Sequence, residues 1–356
     1  MKKILVVDDS ALMRRVLCDI IDSDGRFQVT DRATNGLEAL ELLRKNTYDA
    51  VVLDINMPKM NGIQLLKELR KQKISARVVM ASTDTREGAQ ITLDALDLGA
   101  LDFVHKPDNI LECKKSFFKQ RLIQIIEAAT ESKMPVFTKA FSMKEAKKAK
   151  KMVDLVSKHA GMVSGNKIIA IASSTGGPKA LHAVIPRLPA KLGAPVVIVQ
   201  HMPAGFTASL AERLNTLCEL TVKEAAEGDV LEAGNVYIAM GGKHLNIRPS
   251  GGRHVVNYSD EAPREGVKPC ANYMYESLAE CRYDMVLCTV LTGMGADGTK
   301  GITHLKTKKK IHVIAQNEES CAVYGMPKNI VNAGLADQVV PLEQIAQEII
   351  MNVGVM

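Results

Sequence analysis

The sequence predicts two α/β domains in tandem, each built on a parallel sheet covered by helices. Three observations carry this. Short apolar runs recur at 4–7, 29–34, 50–53, 77–81 and 101–104, and again at 168–172, 195–200, 235–239, 285–291 and 311–315. Between them lie stretches of helical spacing, such as Leu37, Leu40, Leu43 and Ile63, Leu66, Leu69. Strands alternating with helices in this way bury both faces of a parallel sheet. Finally, 356 residues exceed the commonest single-core size, and a hydrophobic content of 46% supplies a core for each half. No internal repeat relates the two blocks.

The expected division is 1–110 for the first domain, 111–166 for a linker and 167–356 for the second domain. Residues 111–130 carry a helical apolar stripe of Phe118, Leu122, Ile125 and Ile126, and the chain reads as irregular around Pro135. Residues 143–160 are lysine-rich, with Met152, Leu155 and Val156 on one side. The whole of 111–166 therefore reads as partly helical and exposed. The Lys147–Lys151 cluster is either a solvated face or a contact for acidic helices or for docking of the domains.

Composition removes several function classes. From 111 to 167 there are 13 Lys and Arg against 5 Asp and Glu, which more than accounts for the net charge of +6 of the whole chain. The basic balance is that of a connecting region and not of a DNA-reading face. Aromatics are 4% and Trp is absent, which argues against base stacking and hence against a nucleic-acid partner. The seven cysteines (18, 113, 218, 270, 281, 288 and 321) form no CxxC pair and are odd in number, so a reducing cytoplasm is the expected home. The opening MKKILVVDDS closes its apolar run with two acids and reads as a buried strand, not a signal peptide. No stretch approaches the roughly 20 apolar residues of a membrane span. A monomer without membrane insertion is expected.

Chemistry first appears at the ends of the front strands. Asp8 and Asp9 close the first run, Asp54 closes the third, and Lys106 follows the fifth. Loops after parallel strands gather at the carboxyl edge, so the three carboxylates converge there. Such a cluster repels itself unless a divalent cation holds it, and an all-oxygen set suits Mg²⁺. Asp54, alone on its strand end before Asn56, Met57 and Pro58, is the best candidate for in-line attack on a phosphoryl group. Lys106 would neutralise phosphoryl oxygens, and the Ser82 hydroxyl would reach the same oxygens.

In the second block, IIAIASSTGGPKAL (168–181) is a strand, a Ser-Ser-Thr turn, two glycines and a proline just inside a helix. A serine on such a turn lies near helix N-terminal amides. That geometry fits a phosphate cradle or a nucleophile with its own oxyanion hole. The segment is neither GxGxxG nor GxxxxGK[ST], which disfavours nucleotide binding, and it is not GxSxG. The next strand ends at Gln200-His201, placing a base at the carboxyl edge beside Ser174. The run 292–298, Thr-Gly-Met-Gly-Ala-Asp-Gly, follows another buried strand and offers Asp297 to orient the imidazole. Amides around Met294, and Thr175 on the serine turn, are candidate oxyanion or loop contributors. A metal loop at GMGADG is the rival reading, without further acids nearby to support it. A Ser174–His201–Asp297 set would act by acyl transfer, with ester preferred to peptide because alkoxide leaves more readily than amine.

Two resemblances follow from these residues. Residues 1–108 resemble two-component receiver domains through Asp8-Asp9, LDINMP around Asp54, Ser82 and Lys106-Pro107. This implies a flavodoxin-like five-stranded fold and phosphorylation of Asp54 by a histidine kinase. It also implies Mg²⁺ held by Asp8, Asp9, Asp54 and the Asn56 carbonyl, with signalling through Ser82, Phe103 and Lys106. Residues 167–350 resemble the catalytic domain of chemotaxis protein-glutamate methylesterases. The matching pieces are SSTGG (173–177), QHMP (200–203), YSD (258–260), GMGADG (293–298) and GMP (325–327). This implies a Rossmann-like doubly wound domain with Ser174, His201 and Asp297 as a triad and no cofactor. The implied substrates are methyl esters on methyl-accepting chemoreceptors, with glutamine deamidation in many members. The resemblance further implies that the unphosphorylated receiver covers the active-site face. Two positions depart from the family pattern: Ala172 replaces a glycine, and Asn272 stands where an acid is usual. The alternative to an esterase is a response regulator whose second block binds receptors without turnover.

Overall fold

A computed structural model describes residues 1–82, 86–107, 116–132 and 165–356. The chain divides into two compact units, Met1–Ala140 and Phe141–Met356.

The first unit is built on β1 (Lys2–Val7), β2 (Phe27–Ala33), β3 (Ala50–Asp54), β4 (Val78–Ser82) and β5 (Asp102–His105). They form one five-stranded sheet in the order β2-β1-β3-β4-β5, every pair parallel. β3 and β4 are buried at every position, which is why their sequences run apolar instead of alternating. The helices are α1 (Ala11–Asp22), α2 (Gly36–Lys45), α3 (Gly62–Lys71), α4 (Arg86–Leu98) and α5 (Ser116–Glu131). Ser10 caps α1, Asn35 caps α2, and Asn61 with Gln64 forms a capping box on α3.

Helix α5 corrects the expected boundary. Residues 111–166 are expected to form a partly helical, exposed linker; the helix is there, but Phe118, Leu122, Ile125, Ile126 and Ala129 of α5 are buried in one core with Ile4, Val6, Val52, Val79 and Val104. The apolar stripe read from the sequence covers a sheet face that would otherwise meet water. The core of the first unit thus includes α5. The lysine-rich segment 143–160 lies outside the described residues.

The second unit has seven parallel strands in one sheet: β6 (Lys167–Ser173), β7 (Val196–Gln200), β8 (Thr221–Glu224), β9 (Asn235–Ile238), β12 (Met285–Val290), β13 (Ile311–Gln316) and β14 (Gln338–Val340). Their order is β14-β13-β12-β6-β7-β9-β8. β10 (His244–Ser250) and β11 (Arg253–Ser259) make a separate antiparallel hairpin. Its two-residue turn, Gly251-Gly252, has φ of 55° and 81°, the left-handed pair that a tight hairpin needs. The helices are α6 (Gly177–Val184), α7 (Phe206–Leu217), α8 (Ala271–Leu278), α9 (Thr299–Lys306), α10 (Met326–Asn332) and α11 (Leu342–Val353), with a 3₁₀ turn at Ile185–Arg187. From central β6 the chain winds out through β7 and then returns to β12 on the other side. The topology reverses between β12 and β6, where open α/β sheets place their sites.

Candidate functional site

Three adjacent strands of the second unit deliver the predicted residues to one edge. Ser174 follows β6, His201 follows β7, and the loop carrying Asp297 follows β12. The register pairs Ser173 with Gln200 and Ala172 with Val290, so the three strands end level. Backbone bonds cross at this edge: the Ser174 amide donates to the Thr292 carbonyl at 3.0 Å, and the His201 amide donates to the Ser173 carbonyl at 3.1 Å.

The serine turn is held from below. The Ser174 carbonyl accepts from the Gly177 amide at 2.7 Å and from Gln200 Nε2 at 2.9 Å. Ser173 Oγ donates to Gln200 Oε1 at 2.7 Å, so the neighbouring hydroxyl is tied into the sheet. Gly293 closes against the turn, and a Cβ there would lie 2.7 Å from Ser174 Cβ. Thr175 is fully buried, and its carbonyl accepts from Thr292 Oγ1 at 2.9 Å. Met294 is half-buried in the loop beyond.

His201 and Asp297 form a buried pair, with Nε2 2.7 Å from Oδ2. That contact occupies one imidazole nitrogen and leaves Nδ1 as the other. Asp297 also accepts from the Ala271 amide at 2.6 Å, the Asn272 amide at 2.9 Å and the Gly298 amide at 2.8 Å. Cys270 Sγ donates to its Oδ1 at 3.0 Å. Burial pushes the Asp297 carboxyl up, but the hydrogen bond and charge of His201, then Cys270 and the Ala271 amide, outweigh it and bring it down to about 2. Burial, with Asp297 beside it, pushes the Cys270 thiol well above its ordinary value.

Sequence reasoning missed the polar residues that hold this edge. Gln200 and Thr292 are buried beneath the serine turn, and the Thr292 amide donates to Gln316 Oε1 at 2.8 Å. Their signal was available: an amide side chain at the last position of an apolar strand, as at Gln200, or a hydroxyl just beyond one, as at Thr292, has to find partners when buried.

The first unit has its own cluster. One oxygen from each of Asp8, Asp9 and Asp54 lies within 4.8 Å of the others. Lys106 Nζ is 2.7 Å from Asp8 Oδ2 and 2.6 Å from Asp54 Oδ1. One ammonium against three carboxylates leaves a negative excess, and the set offers oxygen donors only, so it could hold a divalent metal. Burial pushes the Asp54 carboxyl up, with Lys106 opposing it. Ser82 Oγ accepts from Thr92 Oγ1 at 2.7 Å, Phe103 is buried in β5, and Asn56 is exposed just past β3.

Both parts of the chain are similar to known proteins. Residues 169–349 match the family model for CheB methylesterase, and residues 4–117 match that for the response regulator receiver domain. A protein-glutamate methylesterase/protein-glutamine glutaminase of Syntrophomonas wolfei is 41% identical, the match covering 98% of each chain. One from Pyrococcus abyssi is 39% identical over 98% of this chain and 92% of the relative. The crystal structure of the Thermotoga maritima CheB methylesterase catalytic domain is 42% identical, with a TM-score of 0.51, and covers 53% of this chain and 100% of that one.

Proposed function

This chain belongs to the CheB methylesterase family, and from that premise we propose that it hydrolyses glutamate methyl esters on methyl-accepting chemoreceptors under the control of its receiver. The observation that carries the reading is the buried His201–Asp297 pair, 2.7 Å apart, on the strand end next to Ser174. Asp297 fixes the imidazole through Nε2–H, so Nδ1 is the nitrogen that takes the proton of Ser174 Oγ as the hydroxyl attacks the ester carbonyl. The imidazolium then protonates the departing methoxide, and methanol leaves an acyl-serine. Water, deprotonated by the same nitrogen, releases the glutamate and restores the serine. Backbone amides near Thr175 and Met294 would receive the oxyanion. The same sequence with ammonia leaving would deamidate glutamine, the second activity for which both relatives are named.

In the receiver, Asp54 would accept a phosphoryl group from a histidine kinase. Asp8, Asp9, Asp54 and the Asn56 carbonyl would hold Mg²⁺, which supplies charge neutralisation to the transferring group when bound. Lys106 would exchange its carboxylate contacts for phosphoryl oxygens, and Ser82 and Phe103 would carry the change outward. Phosphorylation would then relieve a block on the esterase. Among the described residues no helix is long and apolar enough to cross a membrane, which suits an enzyme meeting receptor tails in the cytoplasm. The domain boundaries proposed are a receiver through Glu131 and an esterase from Lys167, the chain acting as a monomer.

The test is methanol release from purified methylated receptor, with and without a small phosphodonor. Ser174→Ala should abolish release while Asp54 still accepts phosphate. Undiminished release from that variant would refute the mechanism, and receptor binding without any turnover in the parent would favour the non-catalytic alternative.

A further inference from the structure

We propose that Asn272 is a positioning residue for the Asp297 carboxylate, acting through a reciprocal cap between helices α8 and α9. The inference rests on the esterase reading above. Neither helix is capped by its own N-cap residue: Cys270 before α8 and Gly298 before α9 make no side-chain cap bond. Each is capped from the other loop instead. Asp297 accepts from the Ala271 and Asn272 amides, the first two of α8, at 2.6 and 2.9 Å. Asn272 Oδ1 accepts from the Gly298 amide at 3.1 Å and the Gly301 amide at 2.7 Å, at the start of α9. The carboxylate that orients His201 therefore sits in a loop whose far side is pinned by Asn272.

The two helices could not exchange caps at a larger spacing. A Cβ on Gly301 would lie 2.8 Å from both Cα and O of Asn272, so glycine permits the approach. Asn272 is fully buried, and its Nδ2 has no hydrogen-bond partner. A buried unpaired donor costs stability, so the side chain is oriented by what its oxygen does, not by its nitrogen. An aspartate would offer the same acceptor without the orphan donor. It would also add a second negative charge beside Asp297.

The experiment uses the full-length protein and methanol release from methylated receptor. Asn272→Ala frees the Gly298 and Gly301 amides and lets the Asp297 loop drift. Its kcat should fall about 10- to 100-fold with KM little changed, the scale of a sub-ångström misplacement at a reacting centre. Asn272→Asp should recover most of that loss. A purely structural role would lower the melting temperature yet leave kcat per folded molecule where it is. Parental kcat per folded molecule in Asn272→Ala overturns the proposal; should the alanine variant not fold, a kcat for Asn272→Asp, which keeps the acceptor, more than about tenfold below the parent overturns it instead. Should Ser174→Ala still release methanol, it is the esterase reading that falls instead.

Discussion

Gly293→Ala is the sharpest test of how closely the serine turn is packed. Gly293 is not among the residues with left-handed φ, so alanine meets no backbone strain there and its effect is steric. The new methyl would lie 2.5 Å from Met326 Sδ, 2.7 Å from Ser174 Cβ and 3.1 Å from the Ser174 nitrogen, where ordinary contact begins at 3.4 Å. Met326 is fully buried, though its thioether can turn aside. Relief of the Ser174 contact requires that Cβ to move by roughly 0.7 Å, a shift on the scale known to cost up to about 100-fold in rate. Overpacking should lower stability by about 1–3 kcal/mol. The expected result is a folded protein with kcat for methanol release reduced about 10- to 100-fold, measured as initial rates alongside a thermal melt. A kcat within about twofold of the parent would refute the claim that nucleophile position limits the reaction.

Other outcomes follow from the same structure. Lys106→Ala removes the cation shared by two buried carboxylates and should destabilise the first unit by about 3 kcal/mol; Mg²⁺ should restore more of that loss than it adds to the parent, and equal shifts in the melting temperature would count against a metal site. The Asp297 carboxyl is held at about 2, below its ordinary 3.8. Its stabilisation is thus complete above pH 4 and lost as pH falls toward 2, an effect of about 2 kcal/mol. The stability gap between the parent and Asp297→Asn should narrow across that window, and a constant gap in acid-unfolding curves would contradict it. Deleting residues 1–132 should raise ester hydrolysis above that of the intact, unphosphorylated chain. Deleting only 1–108 should instead give an aggregation-prone protein, because α5 keeps its buried Phe118 and Leu122 without a sheet to cover. A truncated enzyme no faster than the intact one would reject inhibition by the receiver.

The residues at the strand ends were legible because burial on both faces writes a parallel strand as an uninterrupted apolar run, and the first polar residue after it marks the carboxyl edge. Ser174, His201 and the front acids were placed at that edge in this way, and the strands end where the runs do. Helix α5 was misplaced because an amphipathic stripe states that a face is covered without stating by what. β8 and β14 escaped because they are short and half-polar, as edge strands commonly are. Asn272 was visible only as a departure from a family pattern. Its role depends on two loops meeting in space, and no local spacing encodes that.

The paired imidazole and carboxylate come from positions 96 residues apart, and the strand bearing Gln316, which braces Thr292, comes later still. A nascent chain emerging from the ribosome can therefore display Ser174 and His201 well before the carboxylate that pairs with the imidazole has been made. A truncated product ending before residue 297 would carry that imidazole without its buried partner, and without β13 and β14 of the sheet.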